Sequence, residues 1–121
     1  MMIFDSHAHY DDEAFEPDRD SLLSSLPEKG VSKAVNCGCD VTSSEKAIAL
    51  SEKFPFIYAA VGIHPENVDE CDDILAIERL TKHDKCVAIG EVGLDYHYTK
   101  ENKERQKEIF IAQIELSNRI G

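Results

Sequence analysis

Ile3-Phe4-Asp5-Ser6-His7-Ala8-His9 opens the chain with a short apolar run that passes directly into two histidines two positions apart. In an extended strand, residues i and i+2 project to the same face with Cα atoms ~6.6 Å apart, from a rise of ~3.3 Å per residue. Two imidazoles on that spacing can lean onto one ion, because metal–nitrogen bonds of ~2.0–2.1 Å put the ligating nitrogens ~3–3.5 Å apart. On a helix the same pair would diverge. The stretch reads as a metal site at a strand end, with Asp5 in place to accept an imidazole N–H and orient the ring. The acidic run that follows, Tyr10-Asp11-Asp12-Glu13, reads as a solvated loop and is not counted among the ligands.

Three further apolar runs recur downstream, Val31 to Gly38, Phe56 to His64 and Cys86 to Glu91, each reaching a polar or Gly residue at its far end. The runs start about 25 to 30 positions apart with helical patterns between them, which is the spacing of βαβ units on a parallel sheet. The first helix is expected from Pro17, carrying Leu22, Leu23 and Leu26, and cut short by Pro27 before Gly30. Ser43 or Ser44 is expected to cap the second, which buries Ala47, Leu50 and Phe54 and stops at Pro55. The third, over 69–81, turns Ile74, Ile77 and Leu80 inward. The fourth, over 100–120, presents Ile109, Ala112, Leu116 and Ile120, joined by Phe110 and Ile114, as one apolar face, with Gly121 placed to turn the chain.

A barrel of eight such units needs ~250 residues, so residues 1–121 supply about half of one. The expected architecture is α/β, with parallel βα repeats forming the first half of a TIM (β/α)8 barrel and no second domain. Four strands leave two sheet edges unpaired. The chain is then either half of a longer protein or a homodimer completed through those edges.

With 42% hydrophobic and 31% charged residues, the composition is that of a globular domain. No basic, apolar leader precedes Asp5, and the longest apolar stretch, Phe56 to Ile63, falls far short of the ~20 residues that cross a bilayer. A cytoplasmic protein without a membrane partner is expected. The net charge of −11, from 24 acidic and 13 basic residues, argues against a module that binds nucleic acid through a basic surface. It leaves room for an enzyme whose bound cations reverse the local field. The four cysteines, Cys37, Cys39, Cys71 and Cys86, form no C-x-x-C pair, and Cys37 and Cys86 fall in apolar runs as small hydrophobes. No glycine-rich nucleotide loop is present.

In parallel α/β folds, functional residues gather at the C-terminal ends of strands. Those ends carry His7 and His9, then Asn36 to Asp40, then His64, then Glu91. Glu91 closes the apolar Val87-Ala88-Ile89-Gly90, where a carboxylate is costly unless paired or coordinated. It is the expected third ligand, and a carboxylate with two histidines suits one or two ions ~3.5–4 Å apart that activate water. His64, fixed by Pro65, is expected to line the site or touch substrate, as is Asp95 in Gly93-Leu94-Asp95-Tyr96. His83 and His97 read as surface residues.

Four ordered segments then carry a resemblance: Phe4-Asp5-Ser6-His7-Ala8-His9, Ala60-Val61-Gly62-Ile63-His64-Pro65, Ala88-Ile89-Gly90-Glu91-Val92-Gly93-Leu94-Asp95-Tyr96 and the helical stretch Gln106 to Gln113. Together they resemble the TatD family of metal-dependent hydrolases. The resemblance implies a metal-dependent TIM barrel of the amidohydrolase-like type, with deoxyribonuclease (3′ to 5′ exonuclease) activity in several members. It also implies two divalent ions (Mg2+, Mn2+ or Zn2+), with His7 and His9 on one metal, Glu91 bridging to the second as ligand and catalytic residue, and His64 lining the site. The family's further histidine ligands and late-strand aspartate belong to strands beyond Gly121, and no residue here takes their place. The expected reaction is hydrolysis of DNA phosphodiesters by metal-activated water. The alternatives are an esterase or amidase on the same fold and a non-catalytic half-barrel fragment that dimerises.

Overall fold

The structure, a computed structural model, describes residues 1–121. Strands β1 (Ile3–Ala8), β2 (Val31–Cys37), β3 (Ile57–Val61) and β4 (Cys86–Ile89) alternate with helices α1 (Arg19–Ser25), α2 (Val41–Lys53), α3 (Ile74–Leu80) and α4 (Lys103–Ile120). All neighbours pair in parallel in the order β1-β2-β3-β4. Strand order that follows chain order, with a helix in each crossover, is the winding of a barrel; a doubly wound sheet reverses direction part-way.

Burial follows position in the sheet. In β2, Ala34 to Cys37 are buried, as are Ile57 and Ala59 to Val61 in β3, because central strands are covered on both faces. The edge strands leave Phe4 60% and Val87 55% exposed. The main core packs Ala59 and Val61 of β3 against Ala47 and Ile48 of α2, Ile77 of α3, and Ile109 and Leu116 of α4. A second cluster joins Leu23, Ala34, Leu50, Phe54 and Ile57. Val35, Cys37 and Ala60, alternating with those positions, make a small patch on the opposite face.

Helix boundaries differ from the sequence expectation for local reasons. Asp40, not Ser43 or Ser44, caps α2: its carboxylate accepts the Ser43 N–H at 2.7 Å while the Ser43 hydroxyl accepts the Asp40 N–H at 3.0 Å, a reciprocal box. Ser44 turns inward and is fully buried. Helix α1 starts at Arg19 and not at Pro17, because the Arg19 guanidinium donates to the carbonyls of Tyr10, Asp11 and Asp12 and gathers the preceding loop. Pro27 opens a 3-10 turn, Pro27–Lys29, closed by Gly30 at φ 101°. Helix α3 begins only at Ile74, capped by Asp73, and α4 at Lys103. The inward face of α4 is also different: Ile114 and Ile120 are exposed, and Gln106 and Gln113 take buried places beside Ile109 and Leu116.

Strands β3 and β4 stop at Val61 and Ile89, short of His64 and Glu91, and both of those residues therefore sit on loops. Gly62 lets the two loops meet, since a Cβ there would lie 2.8 Å from the Gly90 carbonyl. Gly38 does the same for α2: a Cβ would lie 2.2 Å from the Ser44 hydroxyl.

Candidate metal centre

His7 lies in β1 and His9 one residue beyond it; their Nε2 atoms are 3.1 Å apart. Glu91 closes the group, Oε1 at 3.3 Å from His7 Nε2 and Oε2 at 3.3 Å from His9 Nε2. Donors on a tetrahedral ion with ~2.0–2.1 Å bonds are ~3.3 Å apart. The three side chains thus fit one divalent cation, and the three ligand atoms lie within 4.8 Å of one another. The contact is informative about the sheet as well. β1 and β4 are its two edges, and three steps of ~4.8 Å would separate them by ~14 Å if it were flat. Side chains from both edges meet because the sheet curls as a barrel wall does.

The end of β2 and the two residues after it hold His9 and Glu91. The Cys37 carbonyl lies 3.0 Å from His9 Nδ1; a carbonyl can only accept, so Nδ1 carries a proton and Nε2, on the side of Glu91 and His7, is the nitrogen the neutral ring would offer to a metal. The Gly38 carbonyl accepts the Glu91 N–H at 2.8 Å, and the Cys39 carbonyl accepts the His64 N–H at 2.8 Å. The Cys39 thiol donates to Glu91 Oε2 at 3.1 Å. Three consecutive residues therefore hold His9, Glu91 and His64, a role absent from the sequence expectation. The two thiols have separate partners, Cys37 Sγ facing the Val35 carbonyl, and do not form a metal pair.

Asp5 departs from its expected role. Its carboxylate accepts the Tyr10 hydroxyl at 2.9 Å and the His7 main-chain N–H at 3.3 Å, not an imidazole N–H. The acidic run is also partly structural. Asp11 accepts from the side-chain amide of fully buried Asn36 at 2.9 Å, and the Asn36 carbonyl oxygen accepts the Tyr10 N–H at 2.6 Å. His83 pairs with Glu52 at 3.0 Å, while His97 is exposed.

His64 and Asp95 line the same depression as His7 and Glu91, of about 620 Å³. His64 Nδ1 accepts the Glu66 N–H at 3.0 Å, which leaves Nε2 free. The Asp95 carboxylate accepts the Tyr98 and His97 N–H groups, which hold it below the usual carboxylate range. Both loops are gripped from behind by α4. Gln113 pairs with the N–H (2.8 Å) and carbonyl (3.1 Å) of Ile63, and Gln106 with the N–H (2.8 Å) and carbonyl (2.9 Å) of Asp95.

Burial, reinforced by the hydrogen bond to Glu91 and its charge, pushes the Cys39 thiol up to about 12 from 9.0. Burial, with the bond to Asp5, raises Tyr10 to about 12 from 10.0. Both groups bind their protons more tightly folded than unfolded. Their contribution to stability is complete below pH 9 and is lost as pH rises towards 12. Urea midpoints measured on either side of that window are expected to fall on the alkaline side, and Cys39→Ser to reduce the fall.

The family pattern described as TatD related DNase matches residues 4–121. The chain belongs to the TatD family. It is 40% identical over 122 residues to the metal-dependent hydrolase YabD of Bacillus subtilis, covering 99% of this chain and 48% of the relative. It is 31% identical over 122 residues to the 3′-5′ ssDNA/RNA exonuclease TatD of Musicola paradisiaca, covering 98% and 46%. Among solved structures, the TatD homologue YjjV of Escherichia coli superposes with a TM-score of 0.84 at 28% identity, over 97% of this chain and 47% of that one. The chain spans about half the length of these TatD relatives. Its parallel four-stranded sheet with alternating helices matches about half of a TatD TIM barrel. None of its helices is long and apolar enough to cross a membrane.

Proposed function

We propose that this chain carries the opening half of the centre of a TatD-type deoxyribonuclease that cleaves phosphodiester bonds. The convergence of His7, His9 and Glu91 from the two edge strands carries this reading, and the relatives named ssDNA/RNA exonucleases support the substrate class. One or two divalent ions (Mg2+, Mn2+ or Zn2+) bound there supply a Lewis acid that activates water and shields charge on the phosphate. The Cys37 carbonyl keeps His9 in the ligating tautomer. Glu91 directs one oxygen to each histidine and would hold a cation together with both of them. His64 Nε2 and Asp95 face the incoming substrate across the shared depression.

The net charge of −11 favours a second reading, in which the same centre acts on a small ester or amide that feels less repulsion than a polyanion. A panel of single-stranded DNA, small esters and amides decides between them. The chain is assayed with Mg2+ or Mn2+, alone and with the C-terminal half of the Bacillus subtilis relative supplied in trans. Metal-dependent DNA cleavage that stops on chelation is expected; turnover confined to the small esters or amides would replace the nuclease reading.

A further inference from the structure

The loop that leaves Glu91 lines the depression through Leu94 and Asp95 and carries exposed aromatic rings one to three residues further on, which nothing in the metal chemistry accounts for. Tyr98 is 78% exposed and Tyr96 36%, with Leu94 at 45%. The loop has a defined shape. Fully buried Gln106 grips Asp95 and also donates to the Thr99 carbonyl at 3.0 Å, and the Asp95 carboxylate takes the N–H groups of His97 and Tyr98. The His97 ring stands edge-on to Tyr98, centroids 4.5 Å apart, and bolsters the phenol ring from one side. Lys103 Nζ lies 4.9 Å from the Tyr96 ring centroid. Although the chain is strongly acidic overall, the loop and the start of α4 carry Lys100 and Lys103, while Arg105 and Lys107 beyond them are engaged with Asp72 and Glu108 and with Glu104.

Exposed rings next to cations, on a fixed loop that starts at a metal centre, match what a single strand offers: an unpaired base with an open π-face and a phosphate on either side. A duplex hides that face in its stack. We propose that Tyr98, supported by Tyr96 and Lys103, is a stacking platform for an unpaired base of a single-stranded nucleic acid whose backbone runs into the His7–His9–Glu91 centre. The substrate class rests on the nuclease reading above; the platform itself is tested by binding and not by cleavage.

The probe is a fluorescently labelled, phosphorothioate-linked oligothymidylate, titrated with the 121-residue chain in Mg2+ and followed by anisotropy. Stacking on one aromatic is worth ~1–3 kcal/mol per base, so Tyr98→Ala is expected to weaken binding ~5- to 150-fold, with Tyr98→Trp restoring it. Tyr98 is mostly exposed, and thermal melts of both variants should match the parent. An abasic oligonucleotide of equal length should bind more weakly and show no response to Tyr98→Ala. Undiminished binding by Tyr98→Ala, equal affinity for the abasic strand, or no oligonucleotide binding at all would overturn the platform. A separate Mn2+ titration keeps the two readings apart. Normal Mn2+ affinity with a neutral Tyr98→Ala removes the platform and leaves the centre standing, whereas absent Mn2+ binding in the parent removes the centre.

Discussion

Glu91→Ala is expected to lower the affinity of the chain for Mn2+ by at least ~100-fold and to abolish whatever metal-dependent hydrolysis the parent shows. Loss of a group that merely orients a ligand costs ~10- to 100-fold in metal affinity, and loss of the ligand itself costs no less. Glu91 supplies the negative charge of the group and is the member that connects the loop after β4 to the two imidazoles at the end of β1. The fold should tolerate the change. The Glu91 main chain is held by the Gly38 carbonyl independently of the carboxylate, and its side chain is 23% exposed. Glu91→Gln separates charge from shape: it still offers an acceptor to the Cys39 thiol, yet should lose nearly as much affinity. Calorimetric Mn2+ titration beside a thermal melt reads both effects. Undiminished Mn2+ binding by Glu91→Ala would show that the ion is held elsewhere.

His7, His9 and Glu91, which the structure brings together, were legible as a candidate group in the sequence because each broke a local pattern. Two histidines at period two can share an ion only from an extended segment, and Glu91 ended an apolar run where a carboxylate needs a partner. What holds them was not legible. The Cys37, Gly38 and Cys39 carbonyls that fix His9, Glu91 and His64 belong to the main chain, and any residue types would carry the same groups. Asp5 looked like a partner for an imidazole, but its carboxylate found the nearer N–H of His7, two residues along its own strand, and the Tyr10 hydroxyl. The helix positions were readable from period and breakers; their first residues depended on side-chain competition, as where Asp40 outbids Ser43 for the cap of α2. The fourth helix was the furthest from expectation on one face. Hydropathy assigns glutamine to solvent, whereas Gln106 and Gln113 are inward-facing because loops behind strands β3 and β4 offer them peptide groups to pair.

Gln113→Leu puts that last point to a quantitative test. Gln113 is 1% exposed; its Oε1 accepts the Ile63 N–H at 2.8 Å and its Nε2 donates to the carbonyls of Ile63 at 3.1 Å and Ile109 at 3.3 Å. Leucine is of similar size and opens no large cavity, so packing is nearly preserved. The cost comes from the peptide group of Ile63, left dry with neither donor nor acceptor paired, at ~1–3 kcal/mol for each group. The better transfer energy of leucine recovers only part of this, and a net loss of ~2–4 kcal/mol is expected out of the ~5–15 kcal/mol that holds a domain together. The urea midpoint should drop with an unchanged slope, while amide exchange at Ile63 and His64 accelerates beyond the global effect. Gln113→Glu should fare no better, since it keeps an acceptor for the Ile63 N–H and turns a second oxygen toward the Ile63 carbonyl. Leu116→Ala, on the same face of α4, offers the contrast: a comparable loss of ~2–5 kcal/mol from a cavity, without selective exchange at the His64 loop. A Gln113→Leu midpoint within ~0.5 kcal/mol of the parent would mean that water reaches Ile63, and that the loop bearing His64 is not held by α4.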